Sequence, residues 1–334
     1  MAPLKPFRQL NSSYFDPNLT TNAFSISGVS ILVQAADRTL RQLIKKHWGP
    51  LEVSSAMATN VQSIFQFSDH GAGPLPRLKR WQWFTNEHFL LLSDGKRYLI
   101  TGYMYDRPWQ FHCRSLPGWD PEFIYYYVFE PILLDVLKKA GILVWHSAAV
   151  ARDGVAILLP GVSGSGKSTT TLNLLHLGYQ FLGDDMVLLR QKGDGLEVSG
   201  FETGLFLTER SLELLPEWKK FKRGRRLKKG QRWKYRIDLA TKRPKAGTKP
   251  PLAKVLLFPH VTRGQTTRLE KLTETEALLE CLRQEPKEFP ASIMGGSSLE
   301  SQFEIYSRLV RSKRCYRLHL GSNQNEVRDV LSRV

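Results

Sequence analysis

The chain predicts an α/β fold: a strand-rich α+β front module followed by a larger domain in which strands and helices alternate about a glycine-rich loop. Three observations carry that expectation. Residues 161–168 read G-V-S-G-S-G-K-S, a full G-x-x-x-x-G-K-[ST] pattern set between a strand-length apolar run and a helix. Apolar runs of strand length recur on both sides of it. Capping boxes at Thr273/Glu276 and Ser297/Glu300 mark helix starts that alternate with strands near the C-terminus. A length of 334 residues accommodates one large or two modest domains. The boundary is expected between 1–119 and 120–334.

Each element has its own signal. Residues 24–34 (FSISGVSILVQ) read as a strand with a glycine interruption, and 38–47 as a short helix with Leu40, Leu43 and Ile44 on one side. The runs 88–93 and 96–101 form a hairpin about Asp94-Gly95, and 109–114 adds a strand. His70, His88 and His112 are too scattered to hold a metal. Asp120-Pro121 starts a helix that is kinked or split at Pro131 and ends at Gly141. Residues 142–150 (ILVWHSAAV) then read as one strand, and Asp153-Gly154 turns the chain into the strand 155–160. After the loop come a helix to Leu177, a strand ending in Gly183-Asp184-Asp185, and strands at 186–190, 196–201 and 204–207. Further strands are expected at 233–239, 253–258 and around Tyr316, Leu318 and Leu320; Asn323 caps a last helix.

Composition narrows the function classes. Three widely spaced cysteines, Cys113, Cys281 and Cys315, build neither a disulfide framework nor a zinc site, which points to a reducing, cytoplasmic setting. No run of 18 uninterrupted apolar residues exists, so no membrane span is expected. The net charge of +17 is concentrated: residues 219–249 hold fifteen Lys and Arg against Asp238, which leaves the rest of the chain near neutral. The early part of that stretch has little apolar content and reads as a loop. Three roles stay open for it: a solvated loop, a substrate clamp in which Lys234 or Arg236 reaches a phosphate or an acidic peptide, or a contact for nucleic acid or an anionic surface. No RNA-recognition or helix-turn-helix signature supports the last.

The glycine-rich loop is the chemical centre. Its backbone amides turn inward on an anion, and the helix start adds a positive dipole end. Gly161, Ser163, Gly164, Ser165, Gly166, Lys167, Ser168 and Thr169 are the candidate nucleotide contacts. Lys167 reaches the terminal phosphates and Ser168 ligates Mg²⁺. Asp184 and Asp185 end the next strand, where ligands sit in open α/β sheets. Adjacent residues of an extended segment point to opposite sides, so one carboxylate can face a metal and the other an acceptor hydroxyl.

The run W-H-S-A-A-V at 145–150, the loop with its following Thr169, and L-G-Y-Q-F-L-G-D-D at 177–185 resemble, in that order, the catalytic domain of the HPr kinase/phosphorylase family. The likeness continues more weakly over 251–258, 268–279 and the final strand and helix. It implies the mixed sheet flanked by helices that this family shares with PEP carboxykinases, and an ATP- and Mg²⁺-dependent kinase acting on a hydroxyl. Asp184 would be the general base, His146 its hydrogen-bonded neighbour, and Asp185 a support for the metal. The family's Glu-x-Arg-Gly-Leu-Gly signature is reduced here to G-F-E-T-G-L-F, with Glu202 as a candidate metal ligand but without the arginine and second glycine. The resemblance is therefore to a divergent kinase relative rather than to an HPr kinase proper. The expected acceptor is a Ser or Thr of a peptide or protein, and an acidic one would suit the basic segment; a small-molecule alcohol, or nucleotide binding without transfer, are the alternatives. The family likeness also implies a homo-oligomer.

Overall fold

The computed structural model describes residues 19–54, 61–69, 82–85, 88–93, 98–115, 124–200, 204–223, 226–229, 232–244, 248–262, 264–283, 299–311 and 313–334. The chain divides into two compact units, one of residues 1–142 with 290–297 and one of 143–289 with 298–334.

In the first unit, the described strands are β1 (Thr20–Ile26), β2 (Val29–Ala35), β3 (Glu52–Val53), β4 (Val61–Asp69), β5 (Gln82–Thr85), β6 (Phe89–Ser93), β7 (Tyr98–Tyr103) and β8 (Trp109–Ser115). They form one sheet in the order β3-β1-β2-β4-β8-β7-β6-β5. The expected single strand over 24–34 is instead part of the β1–β2 hairpin. Ser27 and Gly28 both take positive φ, 51° and 79°, as a tight two-residue turn with the twist of its strands requires. Helix α1 (Arg38–Trp48) is capped by Asp37, whose Oδ1 accepts from the Leu40 amide at 2.6 Å, and buries Leu40, Ile44, His47 and Trp48.

A π-helical turn, Tyr125–Phe129, runs into α2 (Glu130–Lys139), with Pro131 in its first turn, where a missing N–H costs nothing. The Phe129 ring lies 4.9 Å from that of Trp48 and 4.8 Å from that of Phe65. Those contacts tie this helical segment to the front sheet. By compactness it counts with the first unit, 23 residues beyond the boundary expected at 119.

The second unit contains β9 (Ile142–Trp145), β10 (Ser147–Arg152), β11 (Val155–Pro160), α3 (Lys167–His176), β12 (Gln180–Gly183), β13 (Val187–Lys192), β14 (Gly195–Gly200), β15 (Gly204–Leu207) and α4 (Glu209–Leu214). There follow β16 (Arg226–Lys229), β17 (Arg232–Asp238), β18 (Leu252–Val261), β19 (Arg268–Lys271), α5 (Glu274–Arg283), α6 (Leu299–Val310), β20 (Arg314–Leu320) and α7 (Gln324–Leu331). The main sheet runs β12-β10-β11-β18-β14-β13-β9, with β20 beside β18 and β19 beside β20. It is mixed: β18 lies parallel to β11 and β20, whereas β10 and β14 are antiparallel to their neighbours.

Both faces of this sheet are covered, which is why its central strands read as unbroken apolar runs. Leu159, Leu257 and Leu318 face one core, with Leu172 of α3 and Val327 of α7. Leu158, Leu256 and Phe258 face the other, with Ala277 and Cys281 of α5 and Leu309 of α6. The capping box at the start of α5 forms as expected: Glu276 accepts from the Thr273 amide at 2.8 Å, and Thr273 Oγ1 accepts from the Glu276 amide at 3.3 Å. Ser297 of the second box lies outside the described residues.

Three departures matter for the site. The single strand expected over 142–150 is broken at His146: β9 ends the strand path, and β10 lies second from its other end. The early basic stretch, read as a loop, supplies β16, which pairs with β17 in a separate sheet β15-β17-β16. Strand β17 keeps Tyr235 and Ile237 in the core while Lys234 and Arg236 take the other face; the alternation, hidden by the charge density, pays for its order. Helix α4 was not expected. Its signal is Thr208, which caps it by accepting from the Ser211 amide at 3.2 Å.

Candidate functional site

Strand β11 ends at Pro160, and residues 161–166 loop into α3. Gly166 takes φ +111°, and a Cβ there would fall 2.3 Å from Leu320 Cδ1. Only glycine combines that backbone with that approach. The Thr170 amide is the first to bond back to Gly166 O, at 2.9 Å. The amides of Lys167, Ser168 and Thr169 thus form the first turn, where a helix has no acceptors of its own. Lys167 is 6% exposed, and its ammonium donates to the carbonyls of Gly161 and of Val162, the latter at 3.3 Å. The loop amides, the helix start and the ammonium together make a cradle for a polyphosphate.

Asp184 and Asp185 follow β12 directly, and the backbone between them turns sharply. Asp185 takes φ +62°, a conformation that Asp tolerates better than most residues, and the Met186 amide donates to Asp184 O at 2.7 Å. The two carboxylates part company. Asp184 is 1% exposed; its Oδ2 lies 3.5 Å from Ser168 Oγ and 3.4 Å from the Phe206 amide of β15, both donors. Asp185 opens on a cavity of about 500 Å³, and its Oδ1 lies 3.9 Å from His146 Nε2. The strand break at 146 is what sets that imidazole beside the carboxylate.

The cavity is also lined by Ser163, Gly164, Gly166, Lys167, Ser168 and Thr169, so it joins the phosphate cradle to the Asp185–His146 pair. Sequence reasoning missed other walls: Phe206 and Thr208 from β15 and its exit, Arg210 on α4, and Val261, Leu320 and Gly321 at the ends of β18 and β20. The last three follow from topology, because β18 and β20 run parallel to β11 and end at the same edge. Of Lys234 and Arg236, the two candidate clamp residues of the basic stretch, Lys234 lines the cavity. Arg243 of that stretch is half-buried instead. It donates to Gly200 O at 3.3 Å, and burial lowers its pKa.

The chemistry of the donor set fits Mg²⁺ bound with a nucleotide. The 3.5 Å separation of Ser168 Oγ from Asp184 Oδ2 is close to the roughly 3 Å edge of an octahedron with metal–oxygen distances near 2.1 Å. Among the described residues no three His, Cys, Asp or Glu cluster in a metal-holding arrangement. Mg²⁺ is normally held by one or two carboxylates, waters and substrate phosphates rather than by an all-protein cage. Glu202, the other expected ligand, lies outside the described residues.

No protein-family model matches the chain. HPr kinase/phosphorylases of Chlorobium phaeovibrioides and Exiguobacterium sibiricum are 40% identical over 55 residues and 43% identical over 53 residues. Each match covers 16% of this chain and 17% of the relative, so the chain spans about one-sixth of the length of these curated relatives. The solved HPr(Ser) kinase/phosphatase of Coxiella burnetii is 11% identical, with 57% of this chain and 95% of that one covered and a TM-score of 0.26. The chain is HPr kinase/phosphorylase-like in sequence over that short segment. No described helix is long and apolar enough to cross a membrane.

Proposed function

We propose that the second unit is an ATP- and Mg²⁺-dependent phosphotransferase acting on an alcohol, with Ser or Thr of a peptide as the acceptor class. One observation carries the reading: a complete phosphate loop shares a single cavity with a carboxylate–imidazole pair, Asp185 and His146. All the described site residues lie in the domain expected at 120–334. The sequence match to HPr kinase/phosphorylases supports the same reaction class.

The geometry favours a division of labour opposite to the one the family resemblance implied. A general base has to reach a hydroxyl in the cavity, and Asp185 lines that cavity whereas Asp184 is 1% exposed. A metal ligand has to neighbour Ser168, and Asp184 does. We therefore assign Asp185 as the base and Asp184, with Ser168, to the metal. When bound, Mg²⁺ neutralises charge on the transferring phosphoryl group. Lys167 and the loop amides orient the donor's phosphates. His146 positions Asp185. The acceptor oxygen forms a bond to the γ-phosphorus as the bond to the β,γ-bridging oxygen breaks; its proton passes to Asp185 and a nucleoside diphosphate leaves.

The test compares Asp184→Asn and Asp185→Asn for transfer from labelled ATP and for Mg²⁺ dependence. Loss of general-base help lowers kcat roughly 10²- to 10⁴-fold. Asp185→Asn is expected to show that loss with its Mg²⁺ requirement unmoved, and Asp184→Asn to raise the Mg²⁺ concentration needed. The reverse pattern returns the base to Asp184, and wild-type rates in both variants remove the general-base role from both aspartates.

A further inference from the structure

We infer that the acceptor alcohol carries its own anionic group, a carboxylate or phosphate near the hydroxyl, and that Lys234 and Arg210 hold it. This deepens the kinase reading and rests on it. Both cations line the cavity that contains Asp185 and His146. They arrive on different elements, Lys234 on β17 and Arg210 on α4, so their meeting in one cavity is a product of the fold and not of the charge run.

Strand pairing explains the placement. Phe206 of β15 pairs with Arg236 of β17, and Leu207 with Tyr235. Leu207, Tyr235 and Ile237 belong to the core. Phe206 and Lys234 therefore lie on the other face, and the Phe206 amide is the one that donates to Asp184. The same short sheet that anchors the carboxylate pair thus delivers Lys234 to its cavity. Thr208 and Ser211 line the cavity as well and add two hydroxyls beside the cations.

Among the described residues, neither Lys234 nor Arg210 makes an ion pair, whereas Arg317 and Arg328 each bind a glutamate. Cations that line a cavity and have no ion-pair partner among the described residues suit an anion that arrives with a ligand. The donor's phosphates already have the loop amides and Lys167. The anion left for Lys234 and Arg210 is the acceptor's. An acidic residue next to a peptide serine and the carboxylate of a small hydroxy acid present the same chemistry, and the experiment separates them.

Full-length protein with Mg²⁺ and labelled ATP is offered three serine peptides, identical except for Asp, Ala or Lys beside the serine. Free serine and glycerate form a parallel arm. The expected result is that the Asp peptide or a small hydroxy acid is labelled roughly ten- to a hundredfold faster than the Ala peptide, the range of a charge-assisted hydrogen bond, with the Lys peptide slowest. The better arm identifies the source of the anion. Lys234→Ala and Arg210→Ala should each narrow the Asp-to-Ala ratio, and Lys234→Glu should turn it toward the Lys peptide. A wild type that labels the Ala and Asp peptides equally, and free serine and glycerate no faster than the Ala peptide, overturns the inference and leaves the kinase reading standing. So does a preference that survives the double variant, or variants that weaken ATP binding with the preference intact. A wild type that binds ATP and labels no acceptor in either arm overturns the kinase reading and this inference together.

Discussion

Replacing Asn173 by leucine tests whether the phosphate-loop helix is held in place by a buried polar clamp. Asn173 is fully buried on α3. Its Nδ2 donates to Gln324 Oε1 at 2.9 Å and to Thr169 O at 3.0 Å, and its Oδ1 accepts from Arg328 Nε at 3.0 Å. Gln324 and Arg328 both belong to α7, so one side chain ties the two helices together. Leucine fills a similar volume but strands the Gln324 acceptor and one Arg328 donor. Arg328 keeps its bond to Glu217 and partial contact with water, which softens its share. A fully buried group left without a partner costs about 1–3 kcal/mol, and because Gln324 and Arg328 are both half-buried the expected loss is about 2 kcal/mol. With an m-value of about 2–3 kcal/mol/M in urea, the midpoint should fall by roughly 1 M at unchanged slope. Asn173→Asp keeps the acceptor for Arg328 and should lose less. Urea unfolding followed by circular dichroism reads both. A leucine variant within about 0.5 kcal/mol of wild type, the scatter of surface substitutions, would refute the clamp.

Two further outcomes follow from groups outside the cavity. Glu270 accepts from His319 at 2.8 Å and from Arg317 at 2.9 Å, and these bonds, His319 first, hold its pKa below the ordinary carboxylate value. A depressed folded pKa means its stabilisation is present above the unfolded value near 4.3 and is lost as the pH falls through the folded one. Glu270→Gln should therefore flatten the acid limb of the stability–pH curve; an unchanged limb counts against the pairing. The three cysteines are buried, and burial raises each thiol's pKa, that of Cys315 to about 11. A disulfide reagent at pH 8 should leave all three unmodified in the folded protein and titrate three in denaturant. Rapid labelling of any of them under native conditions would contradict that burial.

Local patterns made much of this protein readable. The phosphate loop, the caps of α5 and α7 and the apolar strands β11 and β18 depend on neighbours within a few residues, and each lies where its pattern puts it. Thr208 carried an equally local signal for α4, which the surrounding strand pattern masked. The break at His146 had no such signal. Residues 142–150 are uniformly strand-like, and the interruption arises because β9 ends the strand path while β10 lies second from its other end.

By itself, then, the sequence determined the α/β class, the phosphate-binding turn and the candidate residues His146, Lys167, Ser168, Asp184 and Asp185. Which carboxylate faces Ser168 and which opens on the cavity was decided by tertiary structure, through the left-handed turn at Asp185 and the reach of the Phe206 amide from a separate sheet. The same holds for Lys234: the sequence offers it or Arg236 as a clamp residue, and the fold sets Lys234 in the cavity wall. The physical reason is range. Caps and turns are settled by bonds a few residues long, whereas a site is assembled by strand register and packing between segments that the chain brings together only when it folds.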